Sequence, residues 1–207
     1  MADYKAIAGE TIRIVLNYVD DDEWTVHKTT KEGKVSYKKS REWDGYVYRI
    51  DTTMDCSPRT AQEIVFNKDK HLKWNKNQKE ITILKTIEEG CEVRHSSSPS
   101  AMMGLISPRD FCNIFGTASF PEKDLIIVYY QTVQYETCPP RDKYVRAINY
   151  PSGTVIFPIE GEPDKCKAVV ITQFDAKLRP KSLAEKFYPS VLLEYGMAMR
   201  KGAVTCA

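Results

Sequence analysis

Between Glu80 and Phe174 the chain reads as one β-type segment after another, broken only by short turns and flanked on both sides by helical segments. Ile81, Ile83 and Ile87 share one parity, Glu88-Glu89-Gly90 predicts a turn, and Cys91 to Ser98 returns. Arg109 to Phe120, Leu125 to Tyr135, Tyr144 to Tyr150 and Ala168 to Phe174 are further strands. Pro121-Glu122-Lys123, Cys138-Pro139-Pro140 and Gly161-Glu162-Pro163-Asp164 separate them, and Pro151-Ser152-Gly153 turns into a short strand over Thr154 to Phe157.

Helices bracket this run. Tyr4, Ile7, Thr11, Ile14, Val15 and Tyr18 follow helical spacing, with Asp3 as N-cap and Asp20-Asp21-Asp22 as the stop. Trp24 to Thr30, Lys34 to Lys38 and Tyr46 to Met54 predict three strands, the first pair joined around Gly33. Ser57-Pro58 opens a helix carrying Ile64, Val65 and Phe66, because serine caps free N–H groups and proline fits the first turn; a second helical turn follows near His71 to Trp74. After Pro180 a last helix places Leu183, Phe187, Val191, Leu192, Tyr195 and Met199 in one apolar stripe. Pro189 inside it predicts a kink or a break, since proline removes a helical hydrogen bond. The fold class is α+β, a long curved antiparallel sheet wrapped around the C-terminal helix, expected as one domain over residues 1–207.

Composition narrows the function. Thirty basic residues against 28 acidic ones leave +2, too little for a protein whose main task is neutralising phosphates, so no nucleic acid is expected. The basic and aromatic mixture of Lys34 to Arg49 is read as a solvated sheet edge. The longest apolar run, Leu125 to Tyr130, is far shorter than a membrane span. The start of the chain has no signal-peptide pattern and the end no prenylation cysteine, which predicts a cytoplasmic protein. Six scattered cysteines without a Cys-x-x-Cys pair, and three histidines without ligand spacing, predict no metal; no nucleotide motif appears, so no cofactor is expected.

Ile106-Ser107-Pro108-Arg109-Asp110-Phe111 resembles the signature of START domains, the steroidogenic-acute-regulatory-related lipid-transfer family. Trp74-Asn75 and Tyr144-Val145-Arg146-Ala147-Ile148-Asn149-Tyr150-Pro151-Ser152-Gly153 are similar to two further family segments, in the family's order. The likeness is to the small single-domain members, nearest the one that binds bile acids. It implies a helix-grip fold enclosing a tunnel for one sterol-like lipid (cholesterol, a steroid or a bile acid), which a monomeric carrier exchanges with membranes through transient contact. It further implies that Pro99 to Ser107 covers the tunnel mouth, with Met102, Met103, Leu105 and Ile106 as gate and membrane contact. Strand parity then turns Arg94, Ser96, Phe111, Asn113, Phe115 and Thr117 inward. With Met103 and Leu105 from the loop and Phe187, Val191, Leu192 and Tyr195 from the last helix, these are the candidate ligand-binding residues. The sterol-carrying branch has a facing acid and arginine at the positions of Ser96 and Phe115, neither of which is charged here. An inward Arg94 would attract an anionic lipid; paired with a surface carboxylate it would not. Arg109 and Asp110 point to opposite faces, which suits a structural role, with Arg109 fixing the loop base. The alternative is an enzyme on the same scaffold, a cyclase or hydrolase recruiting His95 and the Ser96–Ser98 hydroxyls. No nucleophile elbow supports it and no catalytic residue is assigned.

Overall fold

The computed structural model describes residues 3–206, with the side chains of residues 181–186 outside the description. Its elements run α1 (Tyr4–Val19), β1 (Thr25–Thr30), β2 (Gly33–Lys39), β3 (Tyr46–Met54), α2 (Pro58–Phe66), α3 (Lys68–Trp74), β4 (Glu80–Glu88), β5 (Cys91–Ser97), β6 (Arg109–Phe120), β7 (Leu125–Thr132), β8 (Val145–Arg146), β9 (Ile148–Asn149), β10 (Ser152–Ile159), β11 (Glu162–Thr172), β12 (Phe174–Asp175) and α4 (Lys181–Thr205). A ten-stranded sheet has the order β1-β2-β3-β11-β10-β7-β6-β5-β4, with β8 beside β6, and β12 pairs with β9 in a second, two-stranded sheet. Every pairing is antiparallel except β6 with β8.

The two faces of the large sheet carry different layers. Ala8, Val15 and Tyr18 of α1 pack on Val93, Ile114, Ile127, Tyr129, Val155 and Val169, which form the outer face. Val15 and Tyr18 are sealed, each contributing about 2 kcal/mol through removal from water. The opposite parity packs on α2, α3 and α4: Val35, Ile50, Val128, Ile156 and Val170 meet Ile64, Trp74, Leu192 and Met199. On this inner face α4 lies close because two of its residues lack side chains. A Cβ at Gly196 would fall 2.9 Å from Ile50, and one at Gly202 would fall 2.6 Å from the Trp74 ring. A large antiparallel sheet gripping its C-terminal helix is the fold that the sequence suggested.

The helix starts follow from their caps. Asp3 accepts from the Ala6 N–H, Ser57 from the Thr60 N–H with Pro58 in the first turn, and Asn67 from two N–H groups of α3. Several expectations need correction. The helix after Pro180 continues through Pro189 without a break, carried by its packed inner side chains. Leu183 of the expected stripe lies outside the described side chains. Tyr144 to Tyr150 is two short strands on either side of buried Ala147, since β8 pairs with β6 and β9 with β12. Leu125 to Tyr135 stops pairing at Thr132. The Gly161 turn is tighter than expected, so Pro163 and Asp164 already belong to β11. On β4 the register shifts at Ile83/Lys85 and Thr86/Glu88. Those irregularities expose Ile83 and turn Leu84 and Ile87 onto the outer core, which breaks the simple parity.

Candidate functional site

Regular pairing of β5 with β6 opposes Arg94 to Asn113 and Ser96 to Phe111. The residues between them on β6, Cys112 and Ile114, are sealed beneath the α1 layer. Period two therefore turns Arg94, Ser96, Phe111, Asn113, Phe115 and Thr117 to the inner face. Phe115 stacks on Tyr130 of β7 at 5.7 Å and lies 6.0 Å from Phe66 of α2. Thr117 accepts a 2.9 Å hydrogen bond from Gln62, and Asn113 accepts one of 3.0 Å from Thr132. Trp74 meets Tyr195 of α4 at 5.2 Å while its indole N–H donates to the Ile64 carbonyl. Rings from four directions thus crowd the space between sheet and helix.

Arg94 sits in the middle of this layer, away from the strand end, and is 4% exposed. Its Nε is 2.7 Å from the Glu92 carboxylate, and its guanidinium lies 4.6 Å from the Phe66 ring centre and 4.3 Å from that of Phe115. Burial lowers its pKa, and the Glu92 contact works against that. The carboxylate partner is itself largely buried, so the charge is neutralised inside the fold and not at the surface.

Tyr130 and Tyr195 have another character. Burial raises both phenol pKa values. Both nonetheless keep some accessible surface. The Tyr130 hydroxyl is 3.2 Å from the Thr172 hydroxyl. Sequence reading missed Tyr130, Thr172 and Phe66, although the same period-two count, applied to β7 and β11, finds the first two.

Other candidates lie elsewhere. Met103 and Leu105 are 103% and 80% exposed and Met102 is half exposed, so these side chains point away from the interior. Ile106 is half-buried and its backbone pairs with Ala101 across the loop. Phe187 and Val191 are also exposed, whereas Leu192 is buried: α4 turns Leu192, Tyr195 and Met199 inward and leaves the first two outside. The loop base is fixed by Arg109, whose guanidinium donates to the Ser107 carbonyl and, at 3.0 Å, to that of Ala176 just before α4. Met102 and Met103 both have positive φ, a strained backbone for side chains of that kind.

Beneath the outer layer, Asp110 is sealed and holds Arg146 through two hydrogen bonds of 2.9 Å and His95 through one of 3.0 Å. Desolvation would raise the Asp110 pKa, but the Arg146 and His95 hydrogen bonds outweigh it and hold the carboxyl below its usual range. Both acceptor oxygens are engaged, so this cluster is a brace between β5, β6 and β8. His71 is buried between the Val65 carbonyl and the Asn75 amide, each at 2.8 Å.

Two of the hollows among the described residues bear on the site. One, of about 30 Å³, has room for about one water between Trp43, Tyr46, Tyr48, Phe174 and Tyr188. The other, about 420 Å³, is an open groove along Arg59, Gln62, Glu63, Phe66 and Asn67. Neither is a closed lipid-sized tunnel, and the parity-selected residues line neither of them. No group of three or more potential metal-ligating side chains occurs among the described residues. No described helix is long and apolar enough to cross a membrane.

The START domain profile matches residues 7–202 of the chain. The sequence is similar to human StAR-related lipid transfer protein 6, 32% identical over 203 residues that span 97% of this chain and 91% of that protein. Mouse StAR-related lipid transfer protein 5 is 29% identical over 180 residues, 84% of each chain. The fold superposes on that of human StAR-related lipid transfer protein 5 with a TM-score of 0.90, covering 97% of this chain and 96% of the other at 24% identity.

Proposed function

The chain belongs to the START domain family, and from that premise we propose that it is a non-enzymatic cytoplasmic carrier that holds one sterol-like lipid between sheet and α4 and exchanges it with membranes. The observation that carries this reading is the contrast in accessibility between Met103 and its surroundings. A methionine and a leucine stand free of the protein on a loop whose base is tied to the segment before α4. Apolar groups so exposed at one tip favour contact with an apolar surface, and soft side chains tolerate an irregular one.

The inner face suits a lipid by its chemistry. It offers aromatic rings, small hydroxyls and one already neutralised cation. Enclosing several hundred Å² of apolar ligand surface gains on the order of 10 kcal/mol, at about 25 cal/mol per Å². A bilayer solvates the lipid almost equally well, so exchange runs both ways. Admission of a ring system requires the Phe66, Phe115, Tyr130 and Tyr195 side chains to part, and α4 with the Met103 loop is the cover that moves. The chain acts as a monomer and one domain.

Carriage is favoured over catalysis because the one acid–histidine pair found on the outer side among the described residues, Asp110 with His95, is closed by Arg146. Native mass spectrometry after incubation with liposomes tests the reading. The expected result is one unmodified lipid per chain, whereas repeated release of a chemically altered lipid would establish an enzyme.

A further inference from the structure

Arg109 is 9% exposed, and its guanidinium donates only to neutral partners, the carbonyls of Ser107 and, at 3.0 Å, of Ala176. No carboxylate pairs with it among the described residues, whereas Arg94 and Arg146 each hold one. Burial accordingly lowers its pKa. A buried cation held by carbonyls alone is receptive to an anion, which makes the stronger hydrogen bond. One of those carbonyls belongs to a serine followed by proline. The chain has three such pairs, Ser57-Pro58, Ser98-Pro99 and Ser107-Pro108, and the structure separates them. The Ser57 hydroxyl accepts the Thr60 N–H at the start of α2. That of Ser98 accepts the Arg109 N–H at 3.0 Å and donates to the Pro99 carbonyl. Ser107 is exposed, and its hydroxyl has no partner among the described residues. Proline keeps the serine before it in extended backbone, the form in which a kinase cleft takes a segment.

We propose that Ser107 is a phosphorylation site for a proline-directed kinase, and that Arg109 captures the phosphate it acquires. In the transfer the Ser107 Oγ bonds to the γ-phosphorus of ATP and the bond from that phosphorus to the bridging oxygen breaks. ADP leaves, and the hydroxyl proton passes to the base of the kinase. The phosphate then presents up to two negative charges and three acceptor oxygens. Of the Arg109 donors, Nε stays on Ala176 while Nη1 and Nη2 turn to the phosphate, so one neutral carbonyl is exchanged for a forked ionic contact. Asp175, the acid next to Ala176, is already met by Lys177 and Arg179. Ala176 lies just before α4, so the modification fastens the base of the exposed loop to the leading end of that helix.

The test uses the full chain. A proline-directed kinase with radiolabelled ATP is expected to label it at Ser107 and to leave Ser107→Ala nearly unlabelled. Label on Ser57 or Ser98 instead, or none where a peptide of residues 100–112 is labelled, would overturn the site. The chain with phosphoserine introduced at that position during translation is then titrated by phosphorus NMR. Its second ionisation is expected below the value of about 6 usual for phosphoserine, and back at that value in urea. Exchange of the Ala101 and Ile106 amides, which bond to each other's carbonyls across the loop, should slow about fivefold against the unmodified chain. Arg109→Lys keeps the charge but loses the fork, so most of that slowing should disappear. Equal ionisation in the folded and unfolded chain, or unchanged amide exchange, would overturn capture by Arg109. None of these readouts needs a lipid, so the carrier reading stands or falls separately.

Discussion

The two faces of the sheet are built from the same strands and obey opposite rules. On the outer face Val93, Ile114, Ile127, Val155 and Val169 are sealed against α1, and the ions buried there are saturated by one another. On the inner face Phe115, Tyr130 and Tyr195 remain only partly covered, and α4 approaches through glycines. A close-packed layer resists change because each lost contact and each unpaired charge is felt directly. A layer of rings with spare surface can rearrange at little loss. The division lets one face hold the fold while the other adapts to a guest, and it is open to attack from either side.

The largest effect is expected where the outer face is cut. Arg146→Met removes both 2.9 Å hydrogen bonds from sealed Asp110 and leaves its charge with His95 alone. Breaking a buried pair in this way costs about 3–5 kcal/mol. Urea unfolding should record that loss, and a change under about 1 kcal/mol would mean that the outer brace is dispensable. Next in size is a pH effect on the inner helical layer. Burial lowers the His71 pKa from 6.5 to about 4, although the bond to the Val65 carbonyl opposes the shift. The neutral ring donates from Nδ1 to Val65 and accepts the Asn75 amide at Nε2; a proton on Nε2 would face another N–H. The unfolded chain therefore binds the extra proton first, so stability is full above pH 6.5 and falls as pH drops toward 4, by about 3 kcal/mol over that window. Denaturant titrations of His71→Gln should lack most of this slope; an equal slope would place its origin elsewhere.

How far the sequence discloses this arrangement depends on which rule governs each residue. Helix caps and hairpin turns are local, so Asp3, Ser57 and the β6 strand from Arg109 to Phe120 are legible from neighbours alone. Parity held along β5 and β6 because their ladder is regular, and failed on β4 because two register irregularities depend on the partner strand. The apolar stripe of the last helix was visible, yet its division was not. Phe187 and Val191 are as greasy as Leu192, and only the position of the sheet decides which of them is covered. The neutralisation of Arg94 was hidden for a similar reason: Glu92 lies two residues away on the same inner face, while its ring partners come from α2 and β6. Tyr130 and Thr172 are distant in sequence and meet only through β10 and β11.

The smallest change in stability should accompany the largest separation of the two roles. Met102, Met103 and Leu105 already stand in solvent, so their joint replacement by serine removes almost no buried surface and should alter unfolding free energy by less than about 0.5 kcal/mol. Their loop is nevertheless tied through Arg109 to the residues that precede α4, so weaker attachment at the tip reaches the cover of the inner face. Lipid binding at equilibrium depends on the rings and hydroxyls inside and should stay within about twofold, since none of the three side chains lies there. Transfer between vesicles depends on the tip meeting a bilayer and should slow about tenfold, as the transferred apolar surface of two methionines and a leucine is lost. Fluorescence dequenching between labelled liposomes measures the rate, and a filtration assay measures retention. Equal losses in both would mean that the exposed loop and the inner face act as one binding surface. Loss in neither would leave the exposed methionines without a part in exchange.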